Sequence, residues 1–147
     1  MENLSSSNNS SPKKIKLDFK DSKYATGRRK RSISKVWLKK GSGNIYVNGI
    51  QMNEYFKRPV HQIIVTRPLE ISEVRTNYDV RCSVKGGGLS GQAGAIILGI
   101  SKALISFDDS LKKNLKKDKL TTRDSRVVER KKYGHRKARR SFQFSKR

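Results

Sequence analysis

The chain has 147 residues, enough for one domain with extensions, and carries 35 Lys and Arg against 12 Asp and Glu, a net charge of +23 at pH 7. A free globular protein with that excess repels itself, so the composition selects a polyanionic partner; with no unbroken run of roughly 18 apolar residues and no apolar stripe along the basic stretches, nucleic acid is preferred over a membrane. One cysteine (Cys82) and two histidines (His61, His135) exclude an internal disulfide and leave too few ligands for a zinc site of ordinary count.

Apolar residues make up 33% of the chain and concentrate between residues 24 and 106, which predicts one small core with partner-ordered ends. The reading is a flexible extension over 1–22, a globular α/β domain over 23–120 and an extended basic tail over 121–147. Residues 3–11 are polar and of low complexity, with no apolar segment of a secretory signal. From Lys13 to Asp21, Ile15, Leu17 and Phe19 alternate with charges, as in a short strand or docking segment.

Ser32 to Lys39 mixes β-branched and aromatic with polar residues and reads as a strand. Gly41-Ser42-Gly43 then turns into a second strand, Asn44 to Val47, closed by Asn48-Gly49; together these suggest a hairpin. Met52 to Phe56 suggests a helical turn. An apolar segment from His61 to Thr66, ending before Arg67-Pro68, suggests a helix. Tyr78 to Lys85 is the cleanest strand, with Tyr78, Val80, Cys82 and Val84 on one side and Asp79, Arg81, Ser83 and Lys85 on the other. Cys82 therefore reads as a small core residue.

After Gly86-Gly87-Gly88 a helix is expected, with Ser90 as its N-cap and an apolar face of Ala93, Ile96, Ile97, Ile100 and Leu104. Gly91, Ala95, Gly99 and Ala103 form a stripe of small residues that lets the helix lie close to a sheet. A shorter helix over Asp108 to Lys116 places acids first and lysines last, matching the helix dipole.

Two basic segments are the candidate sites. Arg28, Arg29, Lys30 and Arg31 form a run at the domain edge suited to a phosphate backbone. Arg123, Arg126, Arg130, Lys131, Lys132, Arg136, Lys137, Arg139 and Arg140 lie along the tail, with Tyr133, Phe142 and Phe144 interleaved to stack on bases or fill grooves. Fully extended, seventeen residue steps would carry Arg147 up to about 60 Å from Arg130. Gly86 to Gly91 contains Gly-x-Gly-x-x-Gly with Asp108 downstream, but the amphipathic strand before it disfavours the parallel sheet of a dinucleotide fold. No nucleophile–base pair is evident, and Asp124 and Glu129 read as local ion-pair partners.

Gly86-Gly87-Gly88-Leu89-Ser90-Gly91-Gln92-Ala93-Gly94-Ala95, followed by Gly99, Ser101, Lys102, Ala103 and Leu104, closely resembles the signature of the small-subunit ribosomal protein nine family. Tyr24 to Lys30 with Val36-Trp37-Leu38 looks like that family's opening strand, Thr122 to Lys132 its tail base, and Gln143 to Arg147 its terminal motif. The resemblance implies an α+β fold, a four-stranded sheet with helices on one face, like the second domain of ribosomal protein five and the ribonuclease P protein. It implies a structural protein, with no enzyme activity, cofactor, metal or small-molecule substrate. The protein would sit on the 3′ major domain of small-subunit rRNA, in the head, beside ribosomal proteins seven, ten and fourteen, in a bacterial cytoplasm or an organelle matrix such as the mitochondrial one. The tail would reach P-site tRNA, with Arg147 on the anticodon stem-loop backbone and Ser145 and Lys146 in support. The rival readings are a DNA-compacting protein, an RNA-processing enzyme of the same fold and a nucleotide-binding domain; the latter two lack recognisable catalytic or phosphate-binding constellations.

Overall fold

A computed structural model describes residues 20–146; the expected segment over residues 13–19 and the terminal Arg147 lie outside it. The strands are β1 (Lys23–Arg29), β2 (Ser32–Lys40), β3 (Ile45–Val47), β4 (Ile50–Gln51) and β5 (Tyr78–Lys85). The helices are α1 (Met52–Tyr55), α2 (Pro59–Ile71), α3 (Leu89–Phe107) and, after a 3₁₀ turn at Asp109–Leu111, α4 (Lys112–Lys117).

The sheet has five strands in the order β1-β2-β5-β3-β4, where four were expected. The expected hairpin between Ser32–Lys39 and Asn44–Val47 is also corrected. β2 pairs with β1 on one side and β5 on the other, both antiparallel, and β3 reaches the sheet only as the parallel partner of β5. The reason lies in burial: Val80, Cys82 and Val84 need apolar neighbours on both flanks. Val36 and Leu38 of β2 and Ile45 and Val47 of β3 supply them, so β5 inserts between the two. β3 instead forms a two-residue hairpin with β4, whose turn residues Asn48 and Gly49 have φ of 53° and 84°. Both angles are positive, the geometry for which Asn-Gly is suited.

α3 is the core helix. At 19 residues it is long and apolar enough to cross a bilayer, but more than half of it is buried against the domain. Ala93, Ile96, Ile100 and Leu104 are buried as expected, and they meet Val36, Leu38, Val80, Phe56, Val65 and Leu69 in one core. The small-residue stripe lies on β1 and β2. A Cβ on Gly99 would sit 2.5 Å from Val36 Cγ2, and one on Gly27 would sit 1.9 Å from the Ala95 carbonyl oxygen. Ser34, fully buried, donates from Oγ to that same oxygen at 2.8 Å, so the close approach is hydrogen-bonded as well as packed. α3 starts one residue before Ser90, at Leu89 after Gly88, and has no side-chain cap; Ser90 faces His61 instead.

α2 runs through Arg67-Pro68 to Ile71, past the expected stop. Proline inside a helix costs about 3 kcal/mol, and burial of Val65, Thr66, Pro68 and Leu69 against the core offsets it. Asp108 caps the turn after α3 by accepting the backbone N–H of Ser110 at 2.9 Å; the Ser110 hydroxyl, and after it this N–H, hold its carboxyl below the usual carboxylate range. Cys82 is 1% exposed, and burial pushes its thiol pKa up. All of this leaves one face of the sheet covered by α3 and α2 and the other open.

Candidate nucleic-acid interface

The run Arg28–Arg31 is split by strand geometry. β1 was not expected as a strand from apolar periodicity, and Arg28 and Arg29 are its last residues; Lys30 and Arg31 form the turn into β2. Alternation along a strand sends neighbours to opposite faces. Arg28 is exposed on the open face, whereas Arg29 turns to the helical side. There its Nη1 pairs with Asp124 Oδ1 at 2.9 Å and donates to the Arg126 carbonyl at 2.9 Å. Arg29 thus fastens the base of the tail to the sheet. Lys30 and Arg31 stand exposed at the tip, Lys30 with φ of 50°, a left-handed conformation uncommon outside glycine.

The glycine loop lies against this tip. Ser32 Oγ donates to the Gly86 carbonyl at 2.9 Å, and a Cβ on Gly86 would sit 2.6 Å from the Arg31 carbonyl oxygen. Gly86 and Gly87 have φ of 73° and 61° and are exposed. Two segments more than fifty residues apart in the chain, the basic run and the glycine-rich loop, are therefore one surface. Beside it His61 Nε2 lies 3.0 Å from Ser90 Oγ, and Tyr55 donates to Gln92 Oε1 at 2.8 Å. His61 Nδ1 is buried without a partner. An unpaired acceptor costs less than an unpaired donor, which favours the tautomer protonated at Nε2 and donating to Ser90. The dinucleotide reading of the loop does not hold, since among the described residues no strand follows α3 to complete a β-α-β unit and Asp108 is a cap.

Beyond Leu120 the chain carries no helix or strand among the described residues, only an isolated bridge between His135 and Ser141. Arg123, Arg126, Arg130, Lys131, Lys132, Arg136, Lys137, Arg139, Arg140, Ser145 and Lys146 are all exposed. The tail is not straight. Arg136 N–H donates to the Arg140 carbonyl at 2.8 Å, and the Arg136 guanidinium lies 5.1 Å from the Phe142 ring centroid. This turn shortens the reach expected of a fully extended chain, and its aromatic residue explains why: a ring in a basic segment finds a cation nearby.

Two acids shape the tail. Asp124 accepts from Arg126, whose guanidinium and backbone N–H, with a smaller attraction from Arg29, hold its carboxyl well below the usual range. Glu129 accepts from Arg139 at 2.8 Å and pairs with Lys132 at 3.0 Å, and these partners lower its pKa in that order. Both were expected as ion-pair partners. The 29–124 connection, 95 residues apart, was not legible because nothing in either segment names the other. Among the described residues no cluster of His, Cys, Asp and Glu suits a metal ion.

A family model described as ribosomal protein S9/S16 matches residues 27–147, which takes in both basic segments and the glycine loop.

Proposed function

Because the chain belongs to the ribosomal protein S9/S16 family, we propose that it anchors on the head of the small ribosomal subunit and sends its tail to P-site tRNA. The family is structural: the protein is a constituent of the small subunit that binds rRNA and serves translation. The finer reading is that the domain sits on the 3′ major domain of the rRNA, near ribosomal proteins seven, ten and fourteen, in a bacterial or organellar ribosome.

The observation that carries it is the exposed cation series from Arg123 to Arg140, leading on to Ser145 and Lys146 and fixed at its base by Arg29. Arg28, Lys30, Arg31, Arg123, Arg126, Arg130, Lys131, Lys132, Arg136, Lys137, Arg139 and Arg140 neutralise rRNA phosphates, and the release of counterions drives assembly. Arg29 contributes by setting where the tail leaves the domain. Ser145, Lys146 and Arg147 serve tRNA. A terminal guanidinium bridges phosphates bidentately without reading bases, as a site that receives every tRNA requires.

Deleting residues 145–147 tests this. Subunits carrying the truncated chain should assemble at near-normal yield, yet lose P-site tRNA faster and decode less accurately. Unchanged tRNA retention and fidelity would refute the tRNA role while leaving rRNA binding standing.

A further inference from the structure

We infer that the open face of the sheet is a second RNA-binding surface, which takes an unpaired rRNA segment by stacking on Tyr24 and by neutralising its phosphates on Lys35 and Lys85. The inference rests on the rRNA-binding role above and concerns a face to which the run Arg28–Arg31 contributes Arg28 and whose Tyr24, Lys35 and Lys85 belong to neither basic segment.

The register lays the face out in rows. Tyr24 opposes Trp37, Trp37 opposes Arg81, and Arg81 opposes Tyr46. The Tyr24 and Trp37 rings are 5.4 Å apart, and the Arg81 guanidinium lies 5.4 Å from the Trp37 centroid. Together these make a continuous strip of π surface, with Tyr24 49% exposed at its outer end. The next row is Thr26, Lys35 and Ser83, and the one beyond it Arg28, Ile33 and Lys85. Alternate residues on a strand are about 7 Å apart, so the cations of different rows can each meet a different phosphate.

Charge decides the occupant. The face presents Arg28, Lys35, Lys39, Arg81 and Lys85, and among the described residues its one acid is Asp79. That carboxylate is turned to the Gly41–Asn44 turn, where it accepts the backbone N–H of Ser42 at 3.0 Å and of Asn44 at 2.8 Å. A protein partner would have to bring acids to every row. A strand of RNA brings one phosphate per nucleotide and a flat base for the aromatic strip, the combination that sheet-face RNA binders use. Duplex RNA would offer no splayed base, so the segment is unpaired.

The test measures binding of the full chain to deproteinised small-subunit rRNA across a salt series. The variants are Tyr24→Leu, the double Lys35→Ala/Lys85→Ala, and a tail double Arg136→Ala/Arg140→Ala. Tyr24→Leu should weaken binding roughly 5- to 100-fold, and the sheet double should flatten the salt dependence by about two phosphates. If the sheet variants bind like the parent while the tail double weakens, the open face is not an RNA surface and the ribosomal reading survives. If none weakens, rRNA binding itself fails and the inference with it. Should Tyr24→Leu melt early, the exposed lysine double decides alone, a parent-like salt slope overturning the proposal.

Discussion

Asp124→Asn should loosen the base of the tail without destabilising the domain. The carboxylate takes the Arg29 ion pair at 2.9 Å with side chains 20% and 32% exposed. Its other cation, Arg126, binds at 2.7 Å but is 83% exposed, so that pair contributes little. Asparagine keeps an oxygen for the Arg126 backbone N–H, and Arg29 keeps the Arg126 carbonyl at 2.9 Å. What disappears is the Arg29 charge pair at a partly sheltered site, together with the weaker, exposed pair to Arg126. Ion pairs this open to solvent are strongly screened, so losing them should raise local opening only a few-fold, about fivefold at most. The core ends at Leu120, so the cost should stay local. Native-state hydrogen exchange at the Arg126 amide should speed up a few-fold while Tm stays within about 1 °C. Unchanged exchange would mean that the pair holds nothing. A Tm loss of several degrees, the response of a domain this size to about 1 kcal/mol lost globally, would mean that the tail base belongs to the cooperative core.

Two further outcomes follow from the same geometry. Gly27→Ala should destabilise by about 3 kcal/mol or more, because its Cβ would meet the Ala95 carbonyl oxygen at 1.9 Å and the Gly99 nitrogen at 2.6 Å; Gly88→Ser, with open space and extended backbone, should stay within about half a kcal/mol, and denaturant melts with equal losses would contradict the packing argument. The lowered pKa of Asp124 means that its contribution is complete above the unfolded carboxylate value of about 4 and disappears only as pH falls through the folded value, so the Arg126 amide shift should be flat from pH 8 to about 4 and move only well below that; a transition between 7 and 5 would point to a different partner.

Elements whose side chains see one neighbour on each face could be read from the chain. β5 shows strict alternation because its core face meets α3 and its other face is open, and α3 shows period because one side is buried. β1 escaped that reading: Tyr-Ala-Thr-Gly-Arg-Arg carries almost no apolar alternation, since its core face is filled by Ala25 and Gly27 under the α3 backbone. Small residues leave no hydrophobic signal when the partner supplies the bulk. The pairing of β3 failed for a different reason, because adjacency along the chain suggested β2 and the burial of β5 from both sides outweighed it. The five-stranded count follows from the same rearrangement, with β4 too short at two residues to register as a pattern.

The interface was legible as charge and not as shape. A run of cations reads as a phosphate grip, yet strand alternation gave Arg28 to the open face and Arg29 to the tail clamp, so adjacent arginines perform opposite tasks. The acids make the same point. Asp124 and Glu129 reduce the charge of the segment proposed to meet RNA, which binding alone would select against. Each is held by a cation that fixes the chain's course: Asp124 by Arg29, where the tail leaves the domain, and Glu129 by Arg139, ten residues on, within the turn at 135–141. A tail without them would carry more charge but start from no fixed point, and the entropy of finding its track on the RNA would then fall on binding. The two carboxylates are best understood as pre-organisation, which trades a little affinity per charge for a tail that leaves the domain in one direction.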